Sequence, residues 1–306
     1  MALLGVSAPN NPMATAIQRI RFDNILYPTD FSPASQNALP YALAVAEHYG
    51  ARIYVVHVIS PEVYVYLPPE SLAAVMDAAT ASANASMRKL TSSGLLGDIP
   101  HTAIVRHGEI WDVLNALQSE YDIDLIVVGT RGRRGLSKFI LGSVAEEVFR
   151  LASCPVLTVG PHGIDTPARP ELRRILLATD FSADSVRAIN YAISLGEEFQ
   201  ACLIAMYVAP TPEVDPCVRI RLTHFFTERL SELVPTEVSP WCDLKYVVEF
   251  GTPAEAILKT SREQQAELIV MGVRGAGAIV RTSTHFGATA HRVVTEAHCP
   301  VLTIRG

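Results

Sequence analysis

Short runs of branched apolar residues alternate along this chain with longer segments in which apolar positions recur at helical spacing. Each run is too short for a core helix and is apolar at most positions, which is typical of a strand buried on both faces. In the first half the predicted strands cover residues 24–30, 52–59, 101–106, 125–128 and 155–159. Strands that alternate with helices predict a parallel sheet, wound on both faces by right-handed crossovers.

Polar residues, prolines and glycines between these runs mark the helices. The predicted helices cover residues 33–49, 69–90 and 109–120, and a fourth begins at 142–143. Ser32 is the expected N-cap of the first helix, with Pro33 at its first position. Gly50 is expected to end that helix. The first half is therefore a β-α-β-α-β-α-β-α-β series.

The pattern of the first half returns in the second. The segment ILLATDFS at 175–182 repeats ILYPTDFS at 25–32, and CPVLTI at 299–304 repeats CPVLTV at 154–159. The sequence predicts two copies of one domain, at 21–160 and 171–306, a flexible tail at 1–20 and a linker at 161–170. The predicted fold class is α/β, with two tandem, doubly wound, five-stranded parallel sheets.

Composition and charge narrow the functional class. Of 306 residues, 49% are hydrophobic and 18% are charged, which suits covered sheets and argues against disorder. The net charge of −6, without a basic tract, argues against a nucleic-acid partner. The apolar runs fall short of the ~20 residues that a membrane-spanning helix needs. Five cysteines without a CxxC pair, and no convincing secretory leader, favour a cytoplasmic location.

The connection after the strand at 125–128 is the most informative stretch. It reads GTRGRRGLSKFILGS, carries Arg131, Arg133 and Arg134, and ends at Gly142 and Ser143, where a helix begins. Glycines allow close approach to a ligand, arginines donate forked hydrogen bonds to oxyanions, and a helix N-terminus offers N–H groups. This predicts a phosphate-binding cradle, although neither a Walker A nor a dinucleotide motif is present. The alternative is a glycine-rich surface connection with solvated arginines.

Polar and glycine residues also follow other predicted strands. Asp30, Val58 and Gly129 all lie at carboxyl ends of strands, where ligands bind in doubly wound sheets. Asp30 taken alone is more typical of a helix cap or a turn. Its place in this set favours a ligand or metal role.

The two copies differ at the glycine-rich connection. The second copy has two additional residues there, Ala288 in place of Ser143, and Ala276 and Gly277 where Arg133 and Arg134 stand. Each lost hydrogen bond to a charged group is worth ~1.5–3 kcal/mol if the contact is made. The second copy is therefore expected to bind such a ligand weakly or not at all.

Together, YPTDFS, HVI and GTRGRRGLSKFILGS followed by SCPVLTV resemble the universal stress protein family in its tandem two-domain form. The spacing Gly-x2-Gly-x9-Gly-Ser is similar to that of the ATP-binding branch of the family. The resemblance implies a Rossmann-like, adenine nucleotide alpha hydrolase-like fold in both halves. It also implies a nucleotide-dependent regulator of a stress response rather than an enzyme.

The resemblance further implies a set of ATP-binding residues in the first half. They are Pro28, Thr29, Asp30, Val58, Val128, Gly129, Thr130, Arg131, Gly132, Arg133, Arg134, Gly142, Ser143 and Val144. Adenine is expected near Val58, and Asp30 is expected near the ribose and phosphates, where it could hold Mg²⁺ together with ATP.

Two other functions stay open at this point. One is a slow ATPase or another small-molecule enzyme, because the same fold serves many chemistries. The other is a scaffold without a ligand. The apolar final strands at 155–159 and 300–304 would form sheet edges that need covering. In the resembled family these edges pair across a two-fold axis, which implies an intrachain pseudo-dimer of the two halves and a further homodimer of the chain.

Overall fold

A computed structural model describes residues 19–61, 68–130, 141–160, 170–210, 215–234, 243–273 and 288–305. The first half contains β1 (Asn24–Pro28), α1 (Pro33–Gln36), α2 (Leu39–Tyr49), β2 (Arg52–Ile59), α3 (Pro69–Thr91), β3 (His101–His107), α4 (Ile110–Glu120), β4 (Leu125–Gly129), α5 (Ser143–Leu151) and β5 (Val156–Val159). The second half contains β6 (Arg174–Thr179), α6 (Ala183–Glu198), β7 (Cys202–Ala209), α7 (Pro216–Leu233), β8 (Leu244–Phe250), α8 (Pro253–Glu263), β9 (Leu268–Val273), α9 (Ala288–Glu296) and β10 (Val301–Arg305).

The strands form one ten-stranded sheet in the order β3-β2-β1-β4-β5-β10-β9-β6-β7-β8. Neighbouring strands within each half are parallel. The two halves meet where β5 and β10 pair antiparallel, with Leu302 opposite Leu157. The predicted α/β class with two five-stranded parallel units is confirmed, and each final strand covers the edge of the other.

The core lies on both faces of this sheet. Along β1, Ile25 and Tyr27 pack into one apolar cluster and Leu26 into the other, and all three are fully buried. This is the two-residue alternation of a strand that is covered on both sides. Each cluster includes residues from both halves of the chain, so the halves share their cores.

The first helix departs from the prediction. It was expected to run without interruption to residue 49, but the chain forms α1 and α2 with a turn at Asn37 and Ala38. Pro40 explains the break, because it has no N–H for the carbonyl of Gln36 and its ring crowds that carbonyl. Gly50 ends α2 in the left-handed conformation, with φ of 67°, as predicted.

No helix in the described ranges combines the length and the apolar character that a bilayer crossing requires.

Candidate functional site

A cavity of about 130 Å³ lies at the carboxyl ends of β1, β2 and β4, between the starts of α4 and α5. Its walls are formed by Pro28, Thr29, Asp30, Ser35, Val56, His57, Val58, Ile110, Val128, Gly129, Gly142, Ser143, Val144 and Ala145. In the sheet, β1 lies between β2 and β4, and the chain winds outward from it in both directions. This is the topological switch point at which doubly wound sheets bind their ligands.

Most of the residues predicted from the sequence converge on this cavity. Nine of them line it, namely Pro28, Thr29, Asp30, Val58, Val128, Gly129, Gly142, Ser143 and Val144. Thr130 is buried, its N–H donates to the carbonyl of Val159, and its own carbonyl accepts the N–H of Gly142 at 2.6 Å. Thr130 therefore holds β5 and the start of α5 together. The predicted Arg131, Gly132, Arg133 and Arg134 lie outside the described residues.

A tight turn after β1 shapes the first wall. The N–H of Phe31 donates to Oγ1 of Thr29 at 3.0 Å, and the N–H of Ser32 donates to Oδ1 of Asp30 at 3.0 Å. Phe31 adopts a left-handed conformation with φ of 59°, which is uncommon for a bulky side chain. Such strain is often stored at functional sites. Ser32 then caps α1 by accepting the N–H of Ser35, as the sequence predicts.

Buried hydroxyl groups support this turn from below. Oγ of Ser35 lies 3.1 Å from Oγ1 of Thr29 and donates to the carbonyl of Ser32. The hydroxyl of Tyr27 donates to the carbonyl of Ser35 at 2.7 Å, and burial raises the pKa of Tyr27 far above its usual range. Tyr27 therefore stays neutral and serves as a hydrogen-bond donor beneath the site.

The main chain of β2 supplies the second wall. The carbonyl of Val56 accepts the N–H of Thr29, so the main chain of Val56 faces β1. The carbonyl of Ile59 accepts the N–H of Gly108, so the main chain of Ile59 faces the β3 side. Main-chain groups alternate in direction along a strand. Those of Val58 therefore point to the β1 side, where β1 has already ended, and they face the cavity.

The start of α5 forms the third wall. Gly142 is the N-cap, and its carbonyl accepts the N–H of Glu146 at 2.8 Å. The first N–H groups of a helix have no partner within the helix, and they carry a partial positive charge from its dipole. Ser143, Val144 and Ala145 line the cavity with this first turn. An anionic group is therefore favoured at this wall.

Five lining residues were not predicted from the sequence. They are Ser35, Val56, His57, Ile110 and Ala145. Ile110 opens α4 directly after β3, so the rule that ligands lie at strand ends could have included it. Ser35 gave no such signal, because its contribution depends on the way α1 folds back beneath the turn.

The corresponding crevice of the second half has different walls. Met206 and Met271 stand where the first half has Val56 and Val128, and both methionines are buried. Val208, the counterpart of Val58, is also buried, with 8% of its surface exposed. Val56 and Val128 are also buried, so the two copies differ here in the greater length of the methionine side chains and in the partial exposure of Val58. The glycine-rich connection of the second half, residues 274–287, lies outside the described residues.

Asp180, the counterpart of Asp30, also accepts a main-chain hydrogen bond from its own turn. Its Oδ1 accepts both the N–H and the hydroxyl of Ser182. Burial by itself would raise the pKa of Asp180, but the hydrogen bonds from Ser182 outweigh it and the pKa is lowered. In both halves the hydroxyl of this serine also contacts Oγ of the serine three residues later, which is Ser35 in the first half and Ser185 in the second.

A parallel sheet wound on both faces, with a cavity at its switch point and a helix start in the cavity wall, defines the class of Rossmann-like α/β proteins. Within that class the chain belongs to the universal stress protein family, which it matches over residues 21–160 and 171–305. The resemblance seen in the sequence is thereby confirmed.

Relatives that match over most of the chain are also universal stress proteins. One from Mycolicibacterium smegmatis is 27% identical over 294 residues, covering 92% of this chain and 96% of the relative. One from Mycobacterium tuberculosis is 26% identical with the same coverage of each chain. The crystal structure of a universal stress protein from Archaeoglobus fulgidus has a TM-score of 0.71 at 24% identity, covering 94% of this chain and 99% of that one. This last likeness supports the fold.

Proposed function

We propose that the first half binds ATP in the cavity at the ends of β1, β2 and β4, and that the chain acts as a nucleotide-dependent regulator of a stress response. The observation that carries this proposal is the convergence of three unlike surfaces on one cavity. These are an apolar wall, a main-chain edge and a helix start. A nucleotide has three matching parts, namely a flat base face, a hydrogen-bonding base edge and an anionic tail.

The apolar wall and the main-chain edge suit adenine. Pro28, Ile110 and Val144 offer apolar surface against which a base can pack. The main chain of Val58 presents one N–H and one carbonyl toward the cavity, and each residue of a strand carries one donor and one acceptor. Adenine offers an acceptor and a donor side by side on its edge, which matches this pair.

The helix start suits the phosphates. The N–H groups of the first turn of α5 and the hydroxyl of Ser143 lie at one end of the cavity. Arg131, Arg133 and Arg134 belong to the connection that leads into this turn and stay predicted phosphate ligands. Asp30 provides a carboxylate at the same cavity, which fits the oxygen ligands that Mg²⁺ prefers. The ion would neutralise phosphate charge when bound.

We infer that the second half binds nucleotide more weakly. Met206 and Met271 have longer side chains than their counterparts Val56 and Val128, and Val208 is buried whereas Val58 is partly exposed, which supports a smaller crevice at these strand ends. Ala288 opens α9 at the position of Ser143 and has no hydroxyl to donate.

We also propose that the chain binds ATP without rapid turnover, so it is a binding protein rather than an enzyme. The protein should retain unhydrolysed ATP when it is purified and its bound nucleotide is extracted and separated by chromatography. The slow ATPase is the alternative. Steady multiple turnover in the presence of Mg²⁺ that disappears in Asp30→Ala would overturn the binding role and establish that alternative.

The proposal also covers how the two halves of the chain, and two copies of the chain, associate. The antiparallel pairing of β5 with β10 supports an intrachain pseudo-dimer of the two halves, and a homodimer of the whole chain is proposed in addition. Cys154, Cys202, Cys217 and Cys299 are free thiols, which supports the proposed cytoplasmic location.

A further inference from the structure

The helix that begins at the cavity is held at its other end by the second half of the chain. α5 starts beside the cavity at Ser143 and ends at Leu151. Near that end, the carbonyl of Phe149 accepts a hydrogen bond from Nη2 of Arg305, the last residue of β10. The last carbonyls of a helix have no partner within the helix, and a cation there also complements the helix dipole. Arg305 therefore satisfies a group that α5 cannot satisfy itself.

The side chain of Phe149 is fixed by the second half as well. It is buried, with 7% of its surface exposed, and its ring meets the ring of His291 edge to face at 6.4 Å. His291 belongs to α9, the counterpart of α5. The carbonyl and the ring of one residue thus contact two different elements of the second half.

The environment of Arg305 indicates a fixed side chain. Burial lowers the pKa of its guanidinium, and the nearby charge of Arg150 lowers it further. A cation that loses part of its hydration needs a hydrogen-bond acceptor in return. The carbonyl of Phe149 is that acceptor.

The contact is not reciprocated between the two copies. Gly160 follows β5 at the position that Arg305 has in β10. A Cβ built on Gly160 would lie 3.5 Å from the carbonyl oxygen of Ala297, just after α9, so residue 160 lies close to the equivalent helix end. A glycine has no side chain with which to reach it. Gly160 thus has no side chain that could hold the end of α9. Arg305, in contrast, holds the carboxyl end of α5, the helix of the proposed nucleotide site.

We propose that Arg305 is a positioning residue for the cavity of the first half. By holding the carboxyl end of α5, it fixes the direction in which the first-turn N–H groups of that helix point. Occupancy of the cavity and docking of the second half then stabilise each other, because both depend on one placement of α5. The identity of the ligand rests on the proposed function, whereas the hydrogen bond by which Arg305 holds α5 does not.

Hydrogen–deuterium exchange on the full chain, with and without ATP, tests this role. In Arg305→Ala, amides of residues 146–151 should exchange about tenfold to a hundredfold faster, and those of α4 should be unchanged, since the loss of one charged hydrogen bond acts on α5. The affinity for ATP should fall by a similar factor. Arg305→Lys should recover part of both, because its ammonium can still donate to the carbonyl.

Arg262→Ala is the matched control, since Arg262 is an exposed arginine in the last turn of α8. It should leave exchange in α5 and ATP affinity unchanged. Unchanged α5 exchange in Arg305→Ala, or faster exchange spread equally over both halves, would overturn the positioning role. If Arg305→Ala does not fold, exchange in α5 and ATP affinity are compared between Arg305→Lys and the wild type, and equal values in both would overturn the positioning role. If the wild type binds no ATP, the proposed function is wrong. Hydrogen exchange measured without ATP then still tests whether Arg305 holds α5 in place.

Discussion

Gly129 is needed by the fold at the point where the sequence suggests a ligand cradle. A Cβ on this residue would lie 2.3 Å from the carbonyl oxygen of Ala34 and 3.2 Å from Cα of Ser35. Both are main-chain atoms of α1, so neither can move aside as a flexible side chain would. The glycine therefore allows β4 and α1 to approach each other, and this packing builds one corner of the cavity.

Replacing Gly129 with alanine should therefore destabilise the whole domain. We expect Gly129→Ala to lose about 1–3 kcal/mol in free energy of unfolding, the usual cost of overpacking, as measured by urea denaturation. Gly160→Ala is the control, because among the described residues its Cβ would meet one atom, at the ordinary distance of 3.5 Å. That variant should differ from the wild type by less than about 0.5 kcal/mol. Equal stability of Gly129→Ala and wild type would contradict the packing role.

Asp180 should make stability depend on pH. Its pKa is lowered in the folded protein by the hydrogen bonds from Ser182, so its charged form stabilises the fold above the unfolded pKa of ~3.9. That contribution is lost as the pH falls through the lower, folded pKa. The wild type should accordingly exceed Asp180→Asn in stability at pH 7, with the difference shrinking below about pH 4. Denaturation curves that stay equally separated at pH 7 and pH 3 would rule this out.

At the scale of elements, α5 joins the cavity to the rest of the molecule. Ser143 is exposed at its first turn, where a hydroxyl can reach a bound phosphate but supports no core contact. Ser143→Ala should weaken ATP binding by about tenfold to a hundredfold, the worth of one hydrogen bond to a charged group, and leave the melting temperature unchanged. Calorimetric titration and thermal melts give the two quantities. Ser119→Ala on the exposed side of α4 is the control, and an equal affinity of both variants would show that Ser143 does not contact the ligand.

The strands could be predicted almost to the residue, and the helices less well. β2 begins and ends where the apolar run does, because a strand buried on both faces has a nearly continuous apolar sequence. The break between α1 and α2 was missed although Pro40 is visible in the sequence. A proline is tolerated in the first turn of a helix. Only the folded chain shows that Pro40 lies in the first turn of α2 and not inside one continuous helix.

The site was predictable where it consists of strand ends and a helix start, since those follow from the topology of a doubly wound sheet. The contributions of Ser35 and Tyr27 were not, because they arise from hydrogen bonds between residues on different elements. Asp124 is a similar case. Its carboxylate accepts the N–H groups of Asp23 and Asn24 at the start of β1. No local sequence pattern predicts this contact.

At the scale of the whole molecule, each half supplies the missing edge of the other. The residues of β5 alternate in direction: the carbonyls of Pro155 and Val159 accept N–H groups from the β4 side, so the main chain of Thr158 faces β10. The hydroxyl of Thr158 also donates to the carbonyl of Val301 at 3.0 Å. Without the second half, this apolar edge would be open to pairing with another chain.

A fragment of residues 21–160 should consequently form a homodimer, with β5 pairing to its own copy as it pairs to β10. Light scattering after size exclusion gives the mass. Thr158→Pro in the same fragment removes an N–H from the open edge and leaves the ladder to β4 intact, so that variant should be monomeric. A monomeric parent fragment, or a dimer unaffected by the proline, would show that the seam between the halves does not depend on this edge.

The number of ATP molecules bound per chain tests the nucleotide proposal most directly. Isothermal titration of the full chain with ATP, in the presence and absence of Mg²⁺, should give one strong site per chain. The first half has a cavity at its strand ends, whereas the second half has longer side chains there, Met206 and Met271 in place of Val56 and Val128. Two equal sites per chain, or no heat of binding in either condition, would contradict it.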